Sequence, residues 1–226
     1  MCGRYTLAMP DPGQLRARFA IGERVEVRRR FNVAPGDDVL AVVQSGPEPA
    51  GAVLRWGLIP PWAGDPSDLG VKTINARAET VHERPAYREA FAERRCLIIA
   101  DGFYEWNAGA PHWITRADGE PFAFAGLWAS WRPRSEEPVE PLRSCAIVTT
   151  AASDAIADLH ARMPVILRPS DEPAWLGSDS SPKTLHAVLD AARDELLLAR
   201  PVSRAVNDAR HDAPDCLDPP EQAALF

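Results

Sequence analysis

Twenty-two prolines and fourteen glycines are scattered through the 226 residues of this chain. Proline has no N–H to offer a helix or a sheet ladder, and glycine loses the most backbone freedom on ordering, so long unbroken elements are excluded. Between the breaks lie short stretches rich in valine, isoleucine, phenylalanine and tryptophan. Residues 39–44, 52–59, 96–100, 112–115, 122–127, 144–149 and 164–167 read as strands. Residues 12–19, opened by Asp11 with a proline in the first turn, read as a helix, as do 86–94, where Tyr87 and Phe91 share a face. Residues 152–160 and 184–192 carry helical patterns as well. Strands outnumber helices and do not alternate with them, which excludes a doubly wound parallel sheet. The expected fold is α+β: a single domain with a curved, mainly antiparallel, barrel-like sheet flanked by short helices. That domain is expected over residues 1–206, followed by an acidic, loose tail over 207–226.

The chain is 46% apolar and 25% charged, an ordinary globular balance that rules out wholesale disorder. No apolar run has the length of a membrane span, and Met1-Cys2-Gly3-Arg4-Tyr5-Thr6 lacks the basic start and apolar stretch of a secretory signal. A soluble, cytoplasmic protein with no membrane partner is expected. The net charge of −7 argues at first against a nucleic-acid partner. The acids, however, are concentrated late: from residue 171 onward there are 11 acidic and 5 basic residues, leaving 21 acidic and 20 basic before it. The first three-quarters is nearly neutral, which leaves room for a local basic groove. Its cations are almost all arginines, suited to bidentate phosphate contacts. No heptad or exposed apolar stripe argues for assembly, so a monomer is expected.

None of Cys2, Cys96, Cys145 and Cys216 has the close spacing of a zinc knuckle or a redox pair, and no metal or cofactor is expected. Cys96 and Cys145 stand in apolar strand patterns and read as core residues. Cys2 differs because removal of Met1, which its small side chain permits, would make it the N-terminal residue. It would then carry an α-amine with a pKa near ~7.7–8.0 beside a thiol near ~8.5. An amine and a thiol on adjacent carbons add to the same aldehyde: the amine condenses to an imine and the thiol closes a five-membered thiazolidine. The second step is intramolecular and gains the effective molarity of a held reactant.

Four further segments carry groups suited to chemistry. They are Arg55-Trp56-Gly57-Leu58-Ile59-Pro60-Pro61-Trp62, Ile74-Asn75-Ala76-Arg77-Ala78-Glu79-Thr80, Asp101-Gly102-Phe103-Tyr104-Glu105-Trp106 and His160-Ala161-Arg162-Met163-Pro164-Val165. Together they supply an amide, a carboxylate, an imidazole and two arginines beside strand ends, where sites tend to lie. Trp56, Trp106 and Trp128 read as core, and Arg28-Arg29-Arg30 as a solvated turn.

These segments, with Cys2-Gly3-Arg4-Tyr5 at the start, Phe31-Asn32-Val33-Ala34-Pro35, Ala125-Gly126-Leu127-Trp128 and Ile147-Val148-Thr149-Thr150, resemble the SOS response-associated peptidase (SRAP) family over about residues 2 to 206. The family shields abasic sites in single-stranded DNA. The stretch Ala108-Gly109-Ala110-Pro111 departs from it, since the family often has a lysine before the proline. The resemblance implies a single α+β domain with a DNA groove, acting by lyase-like Schiff-base chemistry in DNA repair. Cys2 would form a thiazolidine crosslink to the abasic aldehyde. Asn75 would orient Cys2, Glu105 would move protons, and His160 would act as a second acid/base group near the sugar oxygen. Arg4, Arg77 and Arg162 would bind phosphates, Trp62 would stack on a base, and Thr149 would add a phosphate or sugar contact or bond the backbone. The implied partners are single-stranded DNA containing abasic sites and replication-fork proteins, with the protein associated with the nucleoid when bound. Two other readings fit the same residues: a cysteine peptidase limited to self-processing of Met1, and a non-covalent binder of single-stranded DNA.

Overall fold

The computed structural model describes residues 2–8, 11–44, 46–65, 70–133, 139–191 and 197–221. In chain order the strands are β1 (Tyr5–Leu7), β2 (Arg30–Val33), β3 (Asp38–Gln44), β4 (Pro49–Trp56), β5 (Asn75–Arg77), β6 (Arg95–Ala100), β7 (Gly102–Asn107), β8 (Ala110–Arg116), β9 (Phe122–Trp131), β10 (Leu142–Ala151), β11 (Arg162–Pro164), β12 (Ile166–Leu167) and β13 (Leu197–Pro201). The α-helices are α1 (Pro12–Phe19), α2 (Arg88–Glu93), α3 (Glu172–Leu176) and α4 (Pro182–Ala191). Five of the expected strands appear at or beyond their expected bounds, as β3, β6, β8, β9 and β10. The expected strand at 52–59 lies earlier, as β4, and the one at 164–167 is divided between β11 and β12.

Strands β10, β4, β3, β6 and β9 run in that order, and β9 pairs back onto β10, closing a ring. All the pairings in the ring are antiparallel except β10 with β4. Closure removes the free edges that would otherwise recruit other strands. A second sheet, ordered β13-β8-β7-β1-β2, lies alongside. Because successive side chains on a strand point to opposite faces, the ring feeds two cores. Leu97 and Ile99 of β6, with Ala146 and Val148 of β10, join Leu15 and Phe19 of α1, Phe91 of α2, Trp175 of α3 and Leu185 of α4. Cys96, Ile98, Cys145 and Ile147 join Tyr5 of β1, Phe103 of β7, Trp56 and Cys2. Gly126 is needed where β9 crosses β6, since a Cβ there would stand 2.6 Å from the Cys96 sulfur.

Helix α1 starts as the sequence predicts, with Asp11 accepting hydrogen bonds from the backbone N–H groups of Gly13 and Gln14. The short helices α2 and α3 end on Arg95, a buried arginine that donates to the carbonyls of Phe91, Ala92, Trp175 and Gly177. Two expectations are corrected. Residues 152–160 form successive turns, in which Ile156 N–H bonds Ser153 O and Leu159 N–H bonds Ile156 O. The segment's apolar pattern serves to bury Ile156, not to build a helix. The segment after residue 206 is also no loose tail as far as Glu221, the last residue described. Asn32, fully buried, donates through its amide to the carbonyls of Val206, Asp208 and His211, while Asp212 accepts from the N–H groups of Phe31 and Asn32. Arg30 pairs with Asp212 and with Asp37, so one residue of the expected solvated turn is a structural cation. None of the described helices is long and apolar enough to cross a membrane.

Asn32 thus satisfies carbonyls that would otherwise be stranded. Asn32→Ala is expected to cost about 2–4 kcal/mol and to expose the chain beyond residue 206 to limited proteolysis before the ring unfolds. Urea melts with an unchanged midpoint would contradict this role.

Candidate active site at the N-terminus

Tyr5 of β1 pairs with Val33 of β2 on one side and Phe103 of β7 on the other, so the first strand is held between two others. The Tyr104 N–H bonds the Arg4 carbonyl at 3.0 Å and extends that ladder toward the N-terminus. Cys2 is completely buried against the core that holds Trp56, Ile147 and Met163. Met1 lies outside the described residues.

Asn75, the first residue of β5, donates from Nδ2 to the Cys2 carbonyl at 2.8 Å. Its own carbonyl accepts from the Tyr87 hydroxyl at 3.0 Å, and burial pushes that phenol up to about 12, so it stays a donor. Asn75 Oδ1 is buried and has no hydrogen-bond partner among the described residues. Strand β5 is placed by parallel pairing with β10, Asn75 beside Ile147 and Arg77 beside Thr149.

Burial raises the Cys2 thiol well above its usual pKa, and the carboxylate of Glu105 raises it further. The thiol is therefore neutral and points to the Arg4 carbonyl, with the sulfur 3.9 Å away. Glu105 lies on β7 and is itself buried. Burial pushes its pKa up, and the neighbouring His160 works in the opposite direction. Glu105 is thus within electrostatic reach of both Cys2 and His160.

His160 stands just before β11. Its Nδ1 is 2.9 Å from both the N–H and the carbonyl of Arg162. A bare Nδ1 accepts from the first and an Nδ1–H donates to the second, so the Arg162 backbone anchors the ring in either tautomer. The Arg162 guanidinium forks onto Glu79 at 3.0 and 2.9 Å and donates to the Thr149 carbonyl at 2.6 Å. Thr149, expected at a phosphate or sugar, is fully buried, with its hydroxyl 3.4 Å from the Ala76 carbonyl and 3.4 Å from Arg162. In this arrangement its hydroxyl faces the backbone, as the alternative reading has it.

Arg77 is exposed on the same strand as Asn75. Arg4 is tied inward: its Nη1 donates to Asn32 Oδ1 at 3.0 Å and to the Val206 carbonyl at 2.8 Å. It braces the N-terminus against the C-terminal segment, which accounts for its place beside Cys2 without a ligand. Trp62, 57% exposed, lies in the turn that Ala63 N–H closes onto the Pro60 carbonyl. Trp56 is core, and Trp128 is half-buried beneath Arg143.

Sequence reasoning assigned no role to Glu79 or Tyr87. A signal existed for Glu79, which sits two residues beyond Arg77 in the quoted segment. Nothing local linked Tyr87 to Asn75, because their contact is tertiary. Elsewhere, His211, Asp215 and Cys216 bring their ligand atoms within 4.8 Å of one another. There the histidine and aspartate pair at 2.7 Å and the thiol bonds the His211 carbonyl, which satisfies the group as it stands.

The family model described as SOS response associated peptidase (SRAP) matches residues 1–209. The chain is 39% identical to "Abasic site processing protein YoaM" of Bacillus subtilis, covering 96% of this chain and 98% of that one. It is 32% identical to "Abasic site processing protein HMCES" of Xenopus tropicalis over 74% of this chain and 56% of the relative. Among solved structures, a Bordetella bronchiseptica protein shares 30% identity with a TM-score of 0.76, over 89% of this chain and all of that one. A Bacteroides thetaiotaomicron protein, at 23% identity, superimposes with a TM-score of 0.82 over 95% of this chain and 99% of that one, and so shares the fold.

The raised pKa of Glu105 has a consequence for stability. A carboxyl whose folded pKa is raised favours folding below its ordinary range, and that contribution is lost as pH rises through the raised value. Glu105→Gln is expected to raise the melting temperature by about 2–4 °C at pH 7–8, with the gain vanishing as pH falls toward the ordinary glutamate range. A lower melting temperature at neutral pH would show that attraction to His160 outweighs burial.

Proposed function

The chain belongs to the SOS response-associated peptidase family, and from that membership we propose that it captures abasic sites in single-stranded DNA covalently through Cys2 once Met1 has been removed. Relatives of nearly the same length are named for abasic-site processing, which supports the substrate class. The observation that carries the chemistry is the 2.8 Å hydrogen bond from Asn75 to the Cys2 carbonyl, made where Glu105 is close enough to shift the Cys2 thiol. The amine and thiol of one residue are thereby held beside an acid and an imidazole.

An abasic deoxyribose opens to an aldehyde at C1′. His160 or Glu105 assists by protonating the ring oxygen as the C1′ hydroxyl loses its proton. The α-nitrogen of Cys2 attacks C1′ to give a carbinolamine, which expels one water as the imine forms. The thiol sulfur then adds to C1′, its proton passes to the nitrogen, and the five-membered thiazolidine is complete. A neutral thiol suits this last step, since the S–H supplies the proton that the nitrogen takes up. Glu105, with its pKa raised by burial, is placed to exchange protons nearer neutral pH than an exposed glutamate. Arg77 and Arg162 would meet the flanking phosphates and Trp62 a base.

On a denaturing gel, the protein with an abasic single strand is expected to give a heat-resistant shifted band that an intact strand does not give. Cys2→Ala loses it. Cys2→Ser, which like Cys2→Ala keeps the amine but not the thiol, gives a band only after reduction of the imine. A heat-resistant band from either variant without reduction would overturn the thiazolidine. Arg77→Ala is expected to weaken binding to intact single strands and to flatten its dependence on log salt by up to about 0.7, measured by fluorescence anisotropy.

A further inference from the structure

Glu79 is a carboxylate set among the arginines that the proposed function assigns to DNA. Its two oxygens take the Arg162 guanidinium as a fork, Nη1 to Oε1 at 3.0 Å and Nη2 to Oε2 at 2.9 Å. The Arg162 side chain is only 16% exposed, whereas that of Glu79 is 50% exposed. The guanidinium is held from behind by the Thr149 carbonyl, and the carboxylate lies toward solvent. Arg77, exposed on β5, is close enough to help hold Glu79 in its ionised form. One carboxylate therefore pairs with Arg162 within electrostatic reach of Arg77, in the bidentate geometry that a phosphate would adopt on Arg162.

Stability is a poor explanation for this arrangement. An ion pair with one half-exposed partner contributes little to folding, and Arg162 already has the Thr149 carbonyl. We propose that Glu79 is a resident anion on Arg162 that a DNA phosphate must displace. This inference rests on the reading of Arg77 and Arg162 as phosphate contacts. In the free protein Glu79 keeps Arg162 extended and aimed, and with it the backbone of Arg162 that anchors His160. When a strand arrives, its phosphate takes the fork and the ionised Glu79 remains nearby as a like charge. Every single strand, damaged or intact, meets that opposition. An abasic strand overcomes it because capture at Cys2 follows, whereas an intact strand gains no bond and leaves. Glu79 thus lowers affinity for undamaged DNA and sharpens selection for the lesion.

The test is fluorescence anisotropy with a labelled, intact single-stranded oligonucleotide across a range of salt, using wild type, Glu79→Gln, Arg162→Ala and the double variant. Thermal melts establish that each is folded. Glu79→Gln is expected to bind roughly threefold tighter or more at low salt, with a salt dependence steeper by up to about 0.7. In the Arg162→Ala background the same substitution is expected to gain much less, because the displaced fork is gone. Unchanged or weaker binding by Glu79→Gln would make the residue a simple brace and overturn the proposal. An undiminished gain in the Arg162→Ala background would reduce it to a general charge effect, which also overturns it. If Arg77→Ala and Arg162→Ala both bind as wild type does, the phosphate reading itself fails, a result separate from either of these.

Discussion

Chain ends usually fray, because few contacts repay the entropy of fixing them. Here the second residue is buried in the interior, and much of the site depends on how it is held there. β1 lies between β2 and β7, the Arg4 carbonyl extends the ladder by one more bond, and Asn75 takes the carbonyl of Cys2 itself. Arg4 then ties the same stretch to Asn32 and to the Val206 carbonyl, so the start of the chain and its C-terminal segment are fastened to one buried amide. Cys2 is thereby given the positional precision of a core residue. That precision is what the proposed intramolecular ring closure needs.

The electrostatics divide by depth. In the interior a neutral thiol, a carboxyl with a raised pKa and an imidazole lie close enough to influence one another. Nearer the surface, Arg162 pairs with Glu79, with Arg77 within electrostatic reach. The two layers meet at the end of β10, where β5 and β11 both pair, the first at Ile147–Thr149 and the second at Thr149–Ala151. Asn75, Arg77 and Arg162 come from strands registered on β10, and His160 hangs on the backbone of Arg162. A shift in the register of β10 would therefore displace Asn75, Arg77, His160 and Arg162 together.

The elements that were legible in the sequence are those with local signals strong enough to stand alone. The Val-Ile-Phe runs of β3, β6 and β9 and the Asp11 cap with its following proline are of that kind. The short strands β1, β2 and β5 were not legible, because three or four residues carry no periodicity and their pairing is decided by partners far along the chain. The β7–β8 turn was hidden too: it places Ala108 at φ 48° before Gly109, where an asparagine would have announced a tight hairpin. Residues 152–160 misled because apolar spacing can serve a single buried side chain, Ile156, as well as a helix. The acidic composition after residue 206 suggested a solvated tail, yet Asp212 is acidic because it caps two backbone N–H groups and pairs with Arg30. Within the site, the motifs together named Cys2, Asn75, Glu105 and His160, which singly carry weak signals, and the fold brings the Asn75 amide to the Cys2 carbonyl. The inward duties of Arg4 and Thr149 depend on contacts across the fold, which residue type alone does not reveal.

The central claim is that Cys2, freed of Met1, supplies both an amine and a thiol to one aldehyde carbon. Intact mass spectrometry tests it most directly, on the protein alone and after incubation with an abasic single strand and heating without reductant. The account predicts a protein mass lacking methionine and a heat-stable adduct equal to that protein plus the strand, less one water. A folded protein lacking Met1 that yields no such adduct, or a stable adduct on protein that retains Met1, would contradict it.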